Sequence, residues 1–276
     1  MTIQRFIEAV ERRAIFRHAF EIGLVALAFL LYFIVRGSVV DRDSVALDNA
    51  HQIIAFEQSI GIYWEPRLQQ WILDYQWAVR AMNFVYFWLD FPLIVAIGLF
   101  MYFRHRHEYT VARDAMLLSG AIALVVYHLY PVMPPRLLPS GEFVGTVEEY
   151  SDLSYQAQSM QAFVNPYAAL PSLHYGWAML LGGVMWVTFR HPLLRAVAVS
   201  LPLLQLAAIV FTANHYIVDA FAGIIVCLAG GLLALAVQRW FYPWVRDRFS
   251  ANPAPDAARP APLVTPAATP PNGAFS

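Results

Sequence analysis

The chain has 276 residues, of which 59% are apolar and 13% charged, with a net charge of −1 and a mean hydropathy of +0.51. A soluble domain averages about 45–50% apolar and about 25% charged, so this composition argues against a water-soluble globule and reads as a membrane protein. A charge near zero also argues against a nucleic-acid partner, because phosphate backbones are gripped by an excess of Lys and Arg. The lone cysteine, Cys227, falls in an apolar stretch and reads as a small core hydrophobe, since one thiol makes neither an intrachain disulfide nor a cysteine metal site.

A spanning helix needs about 20 largely apolar residues, and six stretches qualify, near 19–37, 80–103, 114–133, 174–189, 195–213 and 216–238. Glu21 interrupts the first. A cleaved signal peptide is the alternative there, but no clear small-x-small cleavage site follows, which favours an uncleaved anchor. Cytoplasmic loops are enriched in Arg. Arg5, Arg12, Arg13 and Arg17 precede span 1; Arg104, Arg106 and Arg113 join spans 2 and 3; Arg190 and Arg195 join spans 4 and 5; Arg239, Arg246 and Arg248 follow span 6. All four segments then belong in the cytoplasm with both termini, and the segments 38–79, 134–173 and 212–215 face outward across a plasma membrane.

Between spans 1 and 2, Val45, Ala46, Ile53, Ile54, Phe56 and Ile60 recur near helical spacing, followed by Trp64, Trp71 and Trp77. This predicts an amphipathic helix lying at the outer interface with aromatic anchors. From Ser250 the chain is rich in Pro and Ala and cannot bury a core, so 250–276 reads as a disordered cytoplasmic tail. The expected architecture is all-α: a cytoplasmic segment 1–18, a six-helix membrane bundle over 19–249 with its interfacial helix, and the tail.

Polar groups at membrane depth are costly and mark function by default. Three clusters stand out: Met133-Pro134-Pro135-Arg136 at the end of span 3, Leu170-Pro171-Ser172-Leu173-His174 opening span 4, and Asn214-His215-Tyr216-Ile217-Val218-Asp219 opening span 6. The Arg distribution puts all three at the outer face, although none of them entered that argument. His215 and Asp219 are four apart, one face of a helix, so the carboxylate can take a proton from one ring nitrogen and leave the other free. A histidine so oriented can attack phosphorus and form a phospho-enzyme. His174 can protonate the leaving oxygen and later activate the acceptor. Arg136, Ser172 and the backbone N–H groups at the start of span 4 can hold the nonbridging oxygens. Taken singly, a structural hydrogen bond explains the His-Asp pair as well, and a helix cap explains the Ser-His segment.

The order of these clusters resembles the type 2 phosphatidic acid phosphatase superfamily, the lipid phosphate phosphatases related to vanadium haloperoxidases. Their wording is most similar to bacterial relatives of the inositolphosphotransferase branch, which includes inositol phosphorylceramide synthase; the resemblance runs from about residue 45 to 225. It implies His215 as nucleophile, Asp219 as its partner, His174 as acid/base, and Arg136 and Ser172 as phosphate contacts. The chain departs from the pattern where the family usually has Lys seven residues before the first-motif Arg, here Leu129, and Arg six before the third-motif His, here Ile209; Leu137 follows Arg136 where Pro is usual. A site with fewer cations suits a phosphodiester or a less charged lipid phosphate.

The candidates for lining the substrate pocket are Asn214, Tyr216, Asp90 and His128. Asn83, Tyr86 and Asp90 share one helical face, where a structural hydrogen bond across helices competes with a role in the site. His18, His51, His105, His107 and His191 read as surface or interfacial residues. The chemistry calls for no metal or other cofactor. The expected substrate is a lipid phosphate or phospholipid; water as acceptor makes the enzyme a phosphatase, and a polyol such as inositol makes it a transferase, with the loop 137–170 selecting the head group. The rival readings are a transporter of lipid-linked intermediates without chemistry and an inactive scaffold.

Overall fold

The computed structural model describes residues 3–150 and 165–249. The tail 250–276 and the middle of the 137–170 loop lie outside the described residues. The chain divides into two units, 1–236 and 237–276.

The first unit is helical: α1 (Ile3–Val39), α2 (Asp43–Ile60), α3 (Glu65–Leu73), α4 (Gln76–Trp88), α5 (Phe91–Arg104), α6 (Arg106–Leu129), α7 (Thr146–Tyr150), α8 (Leu173–Thr188), α9 (Pro192–Phe211) and α10 (Ile217–Ala236). Among the described residues no strand forms, and the isolated bridge between Val132 and Ala168 ties the loop after α6 to the loop before α8. In the second unit a π-helical turn, Val237–Phe241, leads into α11 (Tyr242–Phe249), with the rings of Phe241 and Trp244 stacked at 6.1 Å.

Four segments, Ile15–Val39, Arg106–Leu129, Pro192–Phe211 and Ile217–Val245, are each long and apolar enough to cross a membrane, and α4 with α5 makes a fifth if that bent pair is one span. The expected span 80–103 is therefore broken. Its halves meet at 44°, because Pro92 in the first turn of α5 has no N–H to give the preceding turn and its ring crowds the carbonyl four residues back. The expected fourth span, α8, has 16 residues, about 24 Å at 1.5 Å per residue, which is short of a hydrocarbon core of about 30 Å. Four or five spans are thus supported by length and composition where the sequence predicts six.

The expected interruption at Glu21 is neutralised across helices. Arg113 Nη1 of α6 lies 2.6 Å from Glu21 Oε1 and Arg106 Nη2 3.6 Å away, and Tyr109 donates to Oε2 at 3.0 Å. Arg113 also holds Asp114 at 2.7 Å, so the group is a closed, paired network. The outer faces of α1, α5, α9 and α10 leave many large apolar side chains exposed, such as Phe29, Leu99, Leu203 and Leu228, as helices bathed in lipid require. Inside, α10 packs on α6 and α8, and α8 on α9. Small residues allow these approaches: a Cβ on Gly230 of α10 would lie 2.7 Å from the Ala115 carbonyl oxygen of α6.

Of the residues predicted to form the apolar face of α2, Ala46 and Ile53 are buried while Val45, Phe56 and Ile60 are exposed, and the buried face also carries Asn49 and Glu57. Asn49 donates to the Pro131 carbonyl at 2.8 Å, and Met133 N–H donates to the Ala46 carbonyl at 3.1 Å. The inner face of α2 is thus the seat of the Met-Pro-Pro-Arg segment.

Candidate active site

Two helix starts and one loop build the site. His174 lies in the first turn of α8, which Ser172 caps: its hydroxyl accepts the Tyr175 N–H at 3.4 Å. His215 lies just ahead of α10, after a turn in which Ala213 takes a positive φ of 53° and Asn214 bonds the Thr212 hydroxyl at 2.7 Å. Backbone bonds lock the segments together. Ser172 N–H donates to the Asp219 carbonyl at 2.9 Å, and Arg136 N–H donates to the Ala213 carbonyl at 2.9 Å. A Cβ on Gly223 of α10 would collide with the Ser172 carbonyl oxygen, and one on Gly176 of α8 would lie 2.8 Å from the Gly223 carbonyl oxygen. Only glycine at both places lets α8 and α10 cross backbone to backbone, and that crossing sets the two histidines side by side.

Their ring centroids are 5.4 Å apart. His215 is buried, 4% exposed. Its Nδ1 lies 2.7 Å from the Ala169 carbonyl oxygen and 3.4 Å from Asp219 Oδ2. The sequence anticipates the carboxylate but not the carbonyl, which is nearer. A carbonyl can only accept, so Nδ1 carries a proton, and in the neutral ring that leaves the lone pair on Nε2. Asp219 is fully buried, and its Oδ2 also accepts the Tyr216 N–H at 2.8 Å.

His174 is held differently. Its ring stacks on Tyr86 at 4.5 Å with 15° between planes, and its Nε2 lies 3.3 Å from Asp90 Oδ2. Tyr86 comes from the last turn of α4 and Asp90 from the bend that follows it, so the break in the expected second span puts a carboxylate beside His174. Asn83, the third member of that face, exchanges bonds with Thr146 at 2.7 and 2.8 Å and anchors α7. Asp90 therefore joins the histidine pair, and Tyr86 gains a role that its position on the shared face alone did not specify.

Arg136 sits in a 3-10 turn, Pro135–Leu137, and its Nη1 is buried with no hydrogen-bond partner among the described residues. Its Nε is 4.0 Å from Glu148, and the residue lines a cleft of about 460 Å³ with Leu137, Gly145, Glu148 and Glu149. Ile209, where the resemblance expects an arginine, is fully buried and packs among Val210, Ala220, Leu68 and Tyr86, while Leu129 is 69% exposed.

Three pocket candidates are engaged elsewhere. Asn214 holds the turn, Tyr216 is fully buried with its hydroxyl on the Met133 carbonyl at 3.1 Å, and His128 Nδ1 meets the Ser38 hydroxyl at 2.8 Å beside α1. Among the described residues no three His, Cys, Asp or Glu side chains group to hold a metal ion.

The helical membrane chain thus gathers two histidines, two carboxylates and a half-buried arginine where helix ends meet loops. A profile of the PAP2 superfamily matches residues 51–233, well over half of the chain, and the chain belongs to that superfamily. Its members are generally phosphoesterases, and membership implies lipid phosphates as substrates. Neither the curated proteins nor the solved structures contain a match.

Proposed function

We propose that the chain cleaves a phosphoester of a lipid phosphate through a phosphohistidine on His215. The observation that carries this reading is the pairing of the two rings at 5.4 Å, each with its own carboxylate neighbour. His215 Nε2 attacks phosphorus, a P–N bond forms and the bond to the leaving oxygen breaks as His174 gives that oxygen its proton. The acceptor then loses its proton to His174, its oxygen bonds to phosphorus and the P–N bond breaks. With Nε2 of His174 turned to Asp90, the proton moves through Nδ1. The buried Asp219 carboxylate stabilises the positive charge that His215 gains on attack. Arg136, Ser172 and the amides opening α8 hold the nonbridging oxygens. Exposed Trp64, Trp71 and Trp77 support α2 and α3 lying at the interface, and the Arg-rich segments support an outward-facing site in a plasma membrane with both termini in the cytoplasm. On this reading α8 enters the membrane as the sixth helix of the bundle without spanning it alone.

One observation favours transfer over hydrolysis. The hydrophobic packing of Ile209 leaves Arg136 as the cation of the three that the motifs normally supply, and one guanidinium matches the single charge of a phosphodiester better than the double charge of a monoester. Head-group exchange onto a polyol such as inositol, as in the inositolphosphotransferase branch, is the second reading. The test is a panel of lipid phosphates and phospholipids, with and without inositol, on purified wild type and His215→Ala. Phosphate release that the mutation removes means a phosphatase, and alcohol-dependent formation of a new phospholipid means a transferase. Activity untouched by the mutation overturns both.

A further inference from the structure

Glu57 closes α2 and Glu65 opens α3, either side of the Gly61 turn, and both are fully buried. A buried carboxyl costs several kcal/mol of lost solvation unless its oxygens are matched. Each glutamate finds a match at the head of α10: Glu65 Oε1 accepts the Ile217 N–H at 2.7 Å, and Glu57 Oε1 accepts the Val218 N–H at 2.8 Å. First-turn amides have no partner within their own helix. With Tyr216 N–H on Asp219, three consecutive amides between His215 and Asp219 go to three carboxyl groups.

The second oxygens, Glu57 Oε2 and Glu65 Oε2, are buried with no other partner among the described residues, and the two carboxyls lie within hydrogen-bonding reach of each other. Two carboxylates cannot bond without a proton between them. Burial, and then the Glu65 carboxyl beside it, push Glu57 up to about 9, and burial raises Glu65 as well. At neutral pH Glu57 therefore keeps its proton and can donate it to Glu65. The other titratable groups facing the pair are Asp219 and Tyr216 from the head of α10 and Tyr63 from the α2–α3 turn. Each is negative when ionised, so each favours the shared proton.

We infer that Glu57 and Glu65 are positioning residues for the reaction, a buried carboxyl pair that clamps the first turn of α10 and so fixes His215 and Asp219 against the substrate phosphorus. The inference rests on the proposed role of His215. The same helix α2 grips the arginine segment through Ala46 and Asn49, so one element sets the nucleophile and the phosphate-binding loop in a common frame. The three capped amides are also withdrawn from competition for the substrate anion, which directs it to Arg136 and the head of α8.

The test compares full-length wild type, Glu57→Ala and Glu57→Gln in detergent, on whichever lipid phosphate or phospholipid of the panel shows His215-dependent turnover. Glu57→Ala is expected to lower kcat about 10²-fold, the loss that a misplacement of about 1 Å brings, with KM changed by less than about twofold. Glu57→Gln is expected to restore kcat to within a few fold of wild type, because its amide donates to Glu65 as the protonated acid does. Hydrogen exchange at the Ile217 and Val218 amides should speed up in the alanine variant and return to the wild-type rate in the glutamine variant. Equal kcat losses in both variants, or faster exchange with kcat intact, overturn the clamp. If Glu57→Ala does not fold, Glu57→Asp, with its shorter arm, takes its place. If wild type turns over nothing in a His215-dependent way, the functional reading fails by itself and an NMR titration of the His215 ring decides the clamp. A midpoint moved by the alanine variant and restored by glutamine upholds it, and an unmoved midpoint overturns it.

Discussion

The heads of α8 and α10 each deliver a histidine, and they hold it in opposite ways. His215 is buried, its Nδ1 proton faces two acceptors, and the amides behind it are tied to three carboxyl groups. His174 is partly exposed, lies flat on Tyr86, and has a carboxylate at one nitrogen. A nucleophile gains from a fixed line of attack, whereas a group that must give and then take a proton needs access to the leaving oxygen and to the incoming acceptor. The difference between the two heads thus matches a division of labour between attack and proton transfer.

Removing the better-fixed ring should cost most. His215→Ala is expected to drop turnover to background, and His174→Gln to lower kcat about 10²–10⁴-fold, the usual weight of general acid–base catalysis; kcat on the purified variants checks both. Asp90→Asn should lower kcat roughly tenfold to a hundredfold, less than loss of the ring, because stacking on Tyr86 still orients it. The same mutation should shift the pH–rate profile, which loss of mere packing would leave in place. Gly223→Ala forces the two heads apart and should cost about 1–3 kcal/mol of stability, read as a lower Tm with kcat reduced in parallel.

The smallest effect concerns pH. Glu57, usually near 4.5, is held at about 9 in the fold, so between those values the folded chain keeps a proton that the unfolded chain has released. Stability therefore falls as pH rises across that window. In Glu57→Gln this contribution is gone, and Tm measured from pH 5 to 9 should decline less steeply than in wild type.

Much of the site was legible in the sequence, and the rest was hidden for physical reasons. The three motifs could be brought to one face because span order and Arg bias constrain topology strongly, and Asn83, Tyr86 and Asp90 could be read as one face from helical period alone. The bend that turns Asp90 to His174 could not, since a long apolar run reads as one span even with Pro92 inside it. The Ala169 carbonyl carries no side-chain signal. Glu57 and Glu65 reach α10 across more than 150 residues, and a glutamate on an amphipathic helix ordinarily marks its wet side. The glycine signal at 176 and 223 was present but needed a crossing partner to have meaning. His128, Asn214 and Tyr216 sit beside or within motifs, and adjacency in sequence did not separate groups that join the histidine pair from groups engaged elsewhere.

The most direct measurement is to quench the enzyme during turnover of a lipid phosphate or phospholipid labelled with ³²P and to map any acid-labile, alkali-stable label on the protein. The account predicts label on His215 in wild type and none in His215→Ala. Turnover without labelled protein, or label on another residue, would contradict it.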